Sequence, residues 1–457
     1  VVSVTEILHT PSEPVSRVPL SLNQEFLSVF DEGDDSGPFG PAYNIFYACR
    51  LRGEIDDETL RAAMGDVVAR HEALRTLLVR EPGDSHQRIM PPGPVELAVR
   101  DLSGTDPGSR DLRASELVNE VESGSYSATA VPLLRGVLGR FDPADAVLVL
   151  AVHHTAADAW SMHVIMREVA LCYAVRRGHP VELPAAPPQY REYAAWERER
   201  AASAELDAAR EFWREKLRGA EMLTFPTDHP RSAGLPKTTG WHRFTVGAEL
   251  SAATRKAAAR LRCSPFMVLF AAHAIVLRRI TGASDIAVPT FTTGRGAMRF
   301  HQTVGSFFNF VPLRTDLVGC DTFGDVALRV RASCLESYAH DIPFSEIVAQ
   351  APQLMSTAAA DDGGLFLFQV FHSPFAMNGE RIGDVEYSEV PRLLSQPSGG
   401  DIPDGALCEL NITPAGEIIG TLGYNTNLWN PDTMADWASE FTTVLRAVVT
   451  TPDSPLH

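Results

Sequence analysis

Eight consecutive residues, AVLVLAVH at positions 146–153, contain no charged side chain and only one polar one. A stretch this short and this rich in Val and Leu, without apolar/polar alternation, reads as a β-strand covered on both faces. Layers must therefore pack on both sides of the sheet that holds it, which excludes an all-helical bundle and a one-sided meander. The neighbouring sequence supplies such layers. The segment IDDETLRAAMGDVVARHEALRTLL, within residues 54–78, places Leu60, Met64, Val67, Val68 and Leu74 at helical spacing, with Asp56 or Asp57 as cap. A second helix is expected after the strand, with Trp160, Ile165, Val169 and Tyr173 on one side. The fold class expected is mixed α/β.

At 457 residues the chain is long for a single core. The segment RRGHPVELPAAPPQYREY, residues 176–193, breaks every period with four prolines and a glycine, and reads as a linker. Two lobes of mixed α/β structure are expected, residues 1–180 and 181–457. In the second, a charged helix over 194–218 and a buried helix over Ser264–Ile280 precede SDIAVPTFTTGR, read as strand and loop. AAADDGG near residue 360 and SQPSGGDIPDG from Ser395 read as mobile loops.

Composition narrows the function classes. Apolar residues at 45% and charged residues at 21% fit an ordinary globular protein. The net charge of −18 argues against a nucleic-acid binder, which needs clustered Lys and Arg. Six cysteines, with no C-x-x-C pair, disfavour a zinc knuckle or a disulfide scaffold. The most apolar window, FMVLFAAHAIVL at 266–277, is too short to span a bilayer, so no membrane association is expected. VVSVTEILHT at the start has neither a basic region nor a cleavage site. A cytoplasmic location is expected, where the Asn411-Ile412-Thr413 sequon would be chance.

The buried strand ends in an adjacent pair, His153 and His154, with Asp158 four residues on. Three readings are open. A metal site is disfavoured, because neighbouring strand side chains point to opposite faces and no H-E-x-x-H spacing is present. A general base is the second: one histidine points inward, the other faces a cleft, and an imidazole titrating near ~6.5 suits proton transfer at neutral pH. Two histidines satisfied in a core is the third. There is no G-x-S-x-G elbow, phosphate-binding loop or dinucleotide fingerprint. A histidine without a nucleophilic Ser or Cys fits direct transfer between two bound substrates.

HHTAADA resembles the HHxxxDG hallmark of nonribosomal peptide synthetase condensation domains, in the chloramphenicol acetyltransferase-like superfamily. Further segments match in order: PLSLNQEFL (with Ser21 and Gln24), PAYNIFYACRLRGEID, RHEALRT, QYREYAAW, FWREKLRGAEMLTFPTDHPR, TTGR, VGSFFNFVPLR, HDIPFSEIV, LFQVFHSP and YNTNLW. Together they run from about residue 19 to 429.

The resemblance implies two acetyltransferase-like lobes in a V-shaped pseudodimer with a tunnel between them. It implies His154 as the catalytic histidine, His153 as its inward structural neighbour, and Asp158 paired with Arg295. Trp160, Ser306 and Asn309 would lie along the tunnel, and His340 would be a loop residue near the cleft. Ala159 stands where the family has glycine; its methyl narrows the site, and a required positive φ there would strain the loop. No metal and no resident cofactor are implied. The phosphopantetheine arm belongs to an aminoacyl- or acyl-loaded peptidyl carrier protein, and the acceptor is a small-molecule alcohol or amine. The chain ends at TTPDSPLH, without an adenylation domain or a G-G-x-S carrier motif, so a free-standing, monomeric enzyme is expected. Similar free-standing members, in enediyne antibiotic pathways, join a carrier-tethered β-amino acid to a hydroxyl as an ester. A noncatalytic recruiting module and an epimerisation domain are the alternatives. Because carriers are acidic too, a local basic patch would have to meet one; Arg17, Arg295 and Arg299 are candidates.

Overall fold

A computed structural model describes residues 14–373, 375–395 and 401–456. The first ten residues and most of the glycine-rich segment after Ser395 lie outside them. The strand Asp145–His153 is buried at every position. Leu148, Leu150 and Val152 pack with Leu60, Met64 and Val67 of the helix Asp57–Arg70 and with the helix Ala159–Arg176. Val147, Val149 and Ala151 pack on the other face, against Ala114, Leu117 and Val118 of the helix Arg110–Glu122. The period-two alternation thus divides one apolar run between two helical layers.

This strand sits inside a six-stranded sheet, flanked by Asn44–Arg52 and Leu134–Asp142. Its outer strands are Glu96–Asp101 at one edge and the hairpin Asn378–Ile382/Val385–Glu389 at the other. The hairpin comes from the second half of the chain, so residues 378–389 pair with the first half's sheet and a cut at 180 separates strands that share a ladder. A seven-stranded mixed sheet carries Asn309–Asp316, Asp285–Thr292, Gly363–Phe371, Ala406–Ile412, Ile418–Asn425 and Thr239–Thr245, with Thr224–Pro226 beside Gly363–Phe371. A three-stranded sheet completes the set. The fold is mixed α/β, as the sequence predicts.

Two helix boundaries differ from the sequence expectation. The helix begun at Asp57, capped by the Asp56 carboxylate, ends at Arg70 rather than running to residue 78. Arg70 Nε and His71 Nε2 both reach the buried Glu168 carboxylate, at 2.8 and 2.9 Å, which turns the chain into a 3₁₀ turn and the strand Thr76–Glu81. The charged segment after the linker is two helices, Tyr190–Ala201 and Asp207–Lys216, broken where Ser203 caps a short 3₁₀ turn. Among the described residues, all six cysteines are unpaired. No single helix there is long and apolar enough to cross a membrane.

The helix Pro265–Thr281 holds a polar group with nothing to satisfy it. His273 is fully buried, stacks on Phe368 at 4.7 Å, and among the described residues has no hydrogen bond at either nitrogen. Burial pushes its pKa down to about 3, whereas an unfolded histidine titrates near ~6.5. Between these values the unfolded chain binds the extra proton, so the folded state loses stability as pH falls and nothing is lost above pH ~6.5. The variant His273→Leu is expected to unfold at higher urea than the parent. Its advantage should widen by about 2–3 kcal/mol between pH 7 and pH 4.5. Parallel pH dependences in urea titrations would show that His273 is not the proton-sensitive group.

Candidate active site

The pleat of the strand separates the two histidines. His153 Nε2 lies 3.0 Å from the Gly40 carbonyl and Nδ1 lies 2.8 Å from the Thr155 hydroxyl. A carbonyl only accepts, so Nε2 carries the proton and Nδ1 accepts from Thr155. Burial lowers the His153 pKa to about 4 and keeps the ring neutral. With both nitrogens engaged, it ties the strand end to the loop at Gly40.

His154 turns the other way and is half-buried. Its backbone N–H donates to Tyr43 O at 2.9 Å. Its ring stacks on Tyr43, centroids 4.9 Å apart, and meets the edge of Phe308 at 5.4 Å. Nδ1 is buried and, among the described residues, makes no hydrogen bond of ordinary geometry. Desolvation lowers the His154 pKa, opposed by backbone groups at His154 and Ala157 and by the Asp158 charge. A neutral imidazole with a lone pair results. It lines a largely apolar cavity of about 370 Å³, whose wall also includes Asp158, Ala159 and Trp160.

Asp158 caps the helix Ala159–Arg176, accepting from Ser161 N at 2.7 Å. Arg295 Nη2 reaches both of its carboxylate oxygens, at 2.9 and 3.1 Å, as the sequence resemblance implies. The guanidinium is buried. It also donates to Ser161 Oγ and to the carbonyls of Phe300 and Thr303, and lies 3.8 Å over the Phe307 ring. Gly294 sets this approach: its φ is +62°, and a Cβ there would stand 1.8 Å from Phe307 O. Ala159 is the first residue of the helix and, among the described residues, positive φ outside glycine occurs only at Arg17 and Arg262. The methyl that replaces the family's hydrogen therefore sits at the cavity wall without backbone strain.

Trp160 donates Nε1–H to His301 O at 2.8 Å and borders the cavity. Ser306 and Asn309 do not line it. Ser306 is fully buried, its carbonyl accepting from Tyr190 O–H at 2.6 Å and from Asn23 at 3.0 Å. It belongs to a clasp where Ser21, Tyr190 and the loop before Asn309 converge. Asn309 donates to Asp341 and Ile342 O and accepts from Phe344 N, which fixes the HDIPF turn. Asn309 opens the strand Asn309–Asp316, and alternation turns it away from the cavity face taken by Phe310, whereas Ser306 lies in the loop before the strand and is held off the cavity by its bonds to Tyr190 and Asn23. His340 is a loop residue stacked on Phe212 at 3.9 Å. Arg295 is internal, and so is no part of a basic docking patch.

Several cavity residues escaped sequence reasoning. His163 could have been found, since it lies four residues after Ala159 and so shares its helix face. Glu122, Arg243, Glu389, Arg392 and Glu409 come from four separate segments and only the tertiary fold assembles them. Arg243 pairs with Glu122 at 2.8 Å, and Arg392 bridges Glu122 and Glu409 at 3.4 and 2.8 Å.

The Condensation domain family model matches residues 17–457. A linear gramicidin synthase protein of Brevibacillus parabrevis is 33% identical over 460 residues, covering 99% of this chain and 6% of the synthase protein. The chain thus spans a small fraction of the curated relatives it matches. The crystal structure of the SgcC5 protein from Streptomyces globisporus, in complex with (R)-(-)-1-(2-naphthyl)-1,2-ethanediol and sucrose, is 52% identical with a TM-score of 0.92, over 96% of this chain and 100% of that one. The X-domain from teicoplanin biosynthesis is 26% identical with a TM-score of 0.75, over 98% of each chain.

Proposed function

The chain belongs to the condensation domain family, and on that premise we propose that it transfers an aminoacyl group from the phosphopantetheine thioester of a peptidyl carrier protein to a small-molecule hydroxyl or amine. The observation that carries this reading is the placement of His154, neutral and half-buried, on the wall of an aromatic cavity large enough for small reactants. An acceptor bound there gives up its proton to the imidazole as its oxygen or nitrogen attacks the thioester carbonyl. The thiol of the carrier arm departs, and an ester or amide results. Positioning the two reactants supplies much of the remaining acceleration. In this reading the phosphopantetheine arm arrives with the carrier protein.

An alcohol acceptor is the preferred reading. The 52% identical SgcC5 structure binds an aryl vicinal diol, and the aromatic lining by Tyr43, Phe291, Phe308 and Phe371 suits a ring-bearing alcohol. Natural-product assembly of the enediyne kind is the setting this reading favours. A noncatalytic recruiting module is the second reading, favoured by the likeness to the teicoplanin X-domain and by Ala159.

The test is incubation with a carrier loaded with a β-aminoacyl thioester, together with aryl diols and the matching amines, followed by mass spectrometry of carrier and product. Transfer to the diol supports an ester-forming condensation enzyme. Carrier binding without transfer to any acceptor points to the recruiting module, and α-proton exchange without transfer to an epimerase.

A further inference from the structure

We propose that Glu389, with His163 and Tyr47, forms an ammonium-binding subsite of the cavity that recognises the amino group of the acyl donor. The proposal rests on the reading of that donor as an aminoacyl thioester.

The charges on the cavity wall do not balance. Asp158 is matched by Arg295, and Asp404 by a two-pronged bridge from Arg231. Asp401, elsewhere on the wall, accepts from Thr239 and feels Lys237. In the remaining cluster, Glu122, Glu389 and Glu409 face only two guanidiniums, Arg243 and Arg392. One negative charge is left over. It falls on Glu389, because both guanidiniums make their direct contacts with the other two carboxylates and Arg392 reaches Glu389 only through its field.

Glu389 is also under-bonded. Among the described residues its one hydrogen-bond donor is the Tyr47 O–H, 3.2 Å from Oε2. His163 stands opposite, Nε2 3.8 Å from the same oxygen. Its Nδ1 donates to the Ala159 carbonyl at 2.8 Å, which leaves Nε2 facing Glu389. Glu389 Oε2 and His163 Nε2, 3.8 Å apart, both lie within ordinary hydrogen-bond reach of one –NH₃⁺ nitrogen seated beside them. The rings of Tyr47 and Phe371, 4.1 and 5.3 Å from the His163 ring, add faces that favour a cation. A neutral acyl group would leave the Glu389 charge desolvated and unmatched. The subsite therefore selects by charge, and it shares its cavity with His154.

The test uses two non-transferable probes, the pantetheine amides of 3-amino-3-phenylpropanoate and of 3-phenylpropanoate, titrated calorimetrically into the wild type, Glu389→Gln and Tyr47→Phe. The wild type is expected to bind the amino probe at least about tenfold more tightly than the deamino probe. In Glu389→Gln that preference should fall to within about twofold, the amino probe losing affinity and the deamino probe gaining some as the unmatched charge is removed. Equal wild-type affinities, or a preference that survives Glu389→Gln, would overturn the proposal, and the wild-type comparison decides even if the variant does not fold. Transfer assays with the matching carrier thioesters report on the reaction separately. An intact amino preference with no transfer leaves the subsite standing and removes the condensation reading, whereas transfer without the preference does the reverse.

Discussion

Replacing His154 with alanine is expected to slow ester formation by about 10²–10⁴-fold in single-turnover assays, with carrier binding unchanged. An alcohol is a weak nucleophile until its proton is withdrawn, so the step depends on a neutral imidazole at the point of attack. Burial supplies that state by lowering the His154 pKa. Rate should therefore persist into mildly acidic solution and fall only as pH drops through a value below the ordinary ~6.5 of histidine, where the ring becomes protonated and loses its acceptor. An amine acceptor needs less help in deprotonation, so the same substitution should cost it fewer orders of magnitude. Equal losses for alcohol and amine would mean that the ring positions the acceptor by stacking with Tyr43 and Phe308 rather than taking its proton.

What the sequence disclosed follows from how local each signal is. The strand at 146–153 and the opposite sides taken by His153 and His154 follow from a period of two, which a short segment contains in full. The reach of Arg295 to Asp158 spans 137 residues and was legible only through the family motif, because no local spacing encodes it. Ser306 and Asn309 show the limit of that route. A motif marks residues a fold retains, and the reason here is a clasp at Tyr190 and a turn at Asp341, not contact with the cavity. Apolar positions continue past Arg70 at Leu74 and Leu78, and the Glu168 that holds Arg70 and His71 lies almost a hundred residues away. Glu389 reaches the site from a hairpin that the linker-based division assigns to the other half of the chain.

Arg295→Met is expected to have the larger effect on stability, about 3–5 kcal/mol, although Arg295 does not line the cavity. Its side chain is 1% exposed and that of Asp158 is 9% exposed, so the pair is held out of water. Removing the guanidinium leaves the Asp158 carboxylate buried with, among the described residues, the Ser161 N–H as its one donor, and strips a donor from Ser161 Oγ and from two carbonyls. Methionine fills the space over Phe307 without replacing any of these bonds. Asp158→Asn should cost less, because asparagine still caps the helix through its side-chain oxygen. In the double variant the costs should fall short of their sum by about 1–3 kcal/mol, the charge of Asp158 no longer being stranded. The start of the helix Ala159–Arg176 and the segment Phe300–Gly305 are both fastened at this point, the second through Ser161 and Gly305. Loss of the clamp should therefore also depress transfer by displacing the cavity wall at Asp158, Ala159 and Trp160, even at temperatures where the variant remains folded. Strict additivity in urea titrations would show instead that Arg295 acts on the Phe300 and Thr303 carbonyls alone, with Asp158 held by its helix.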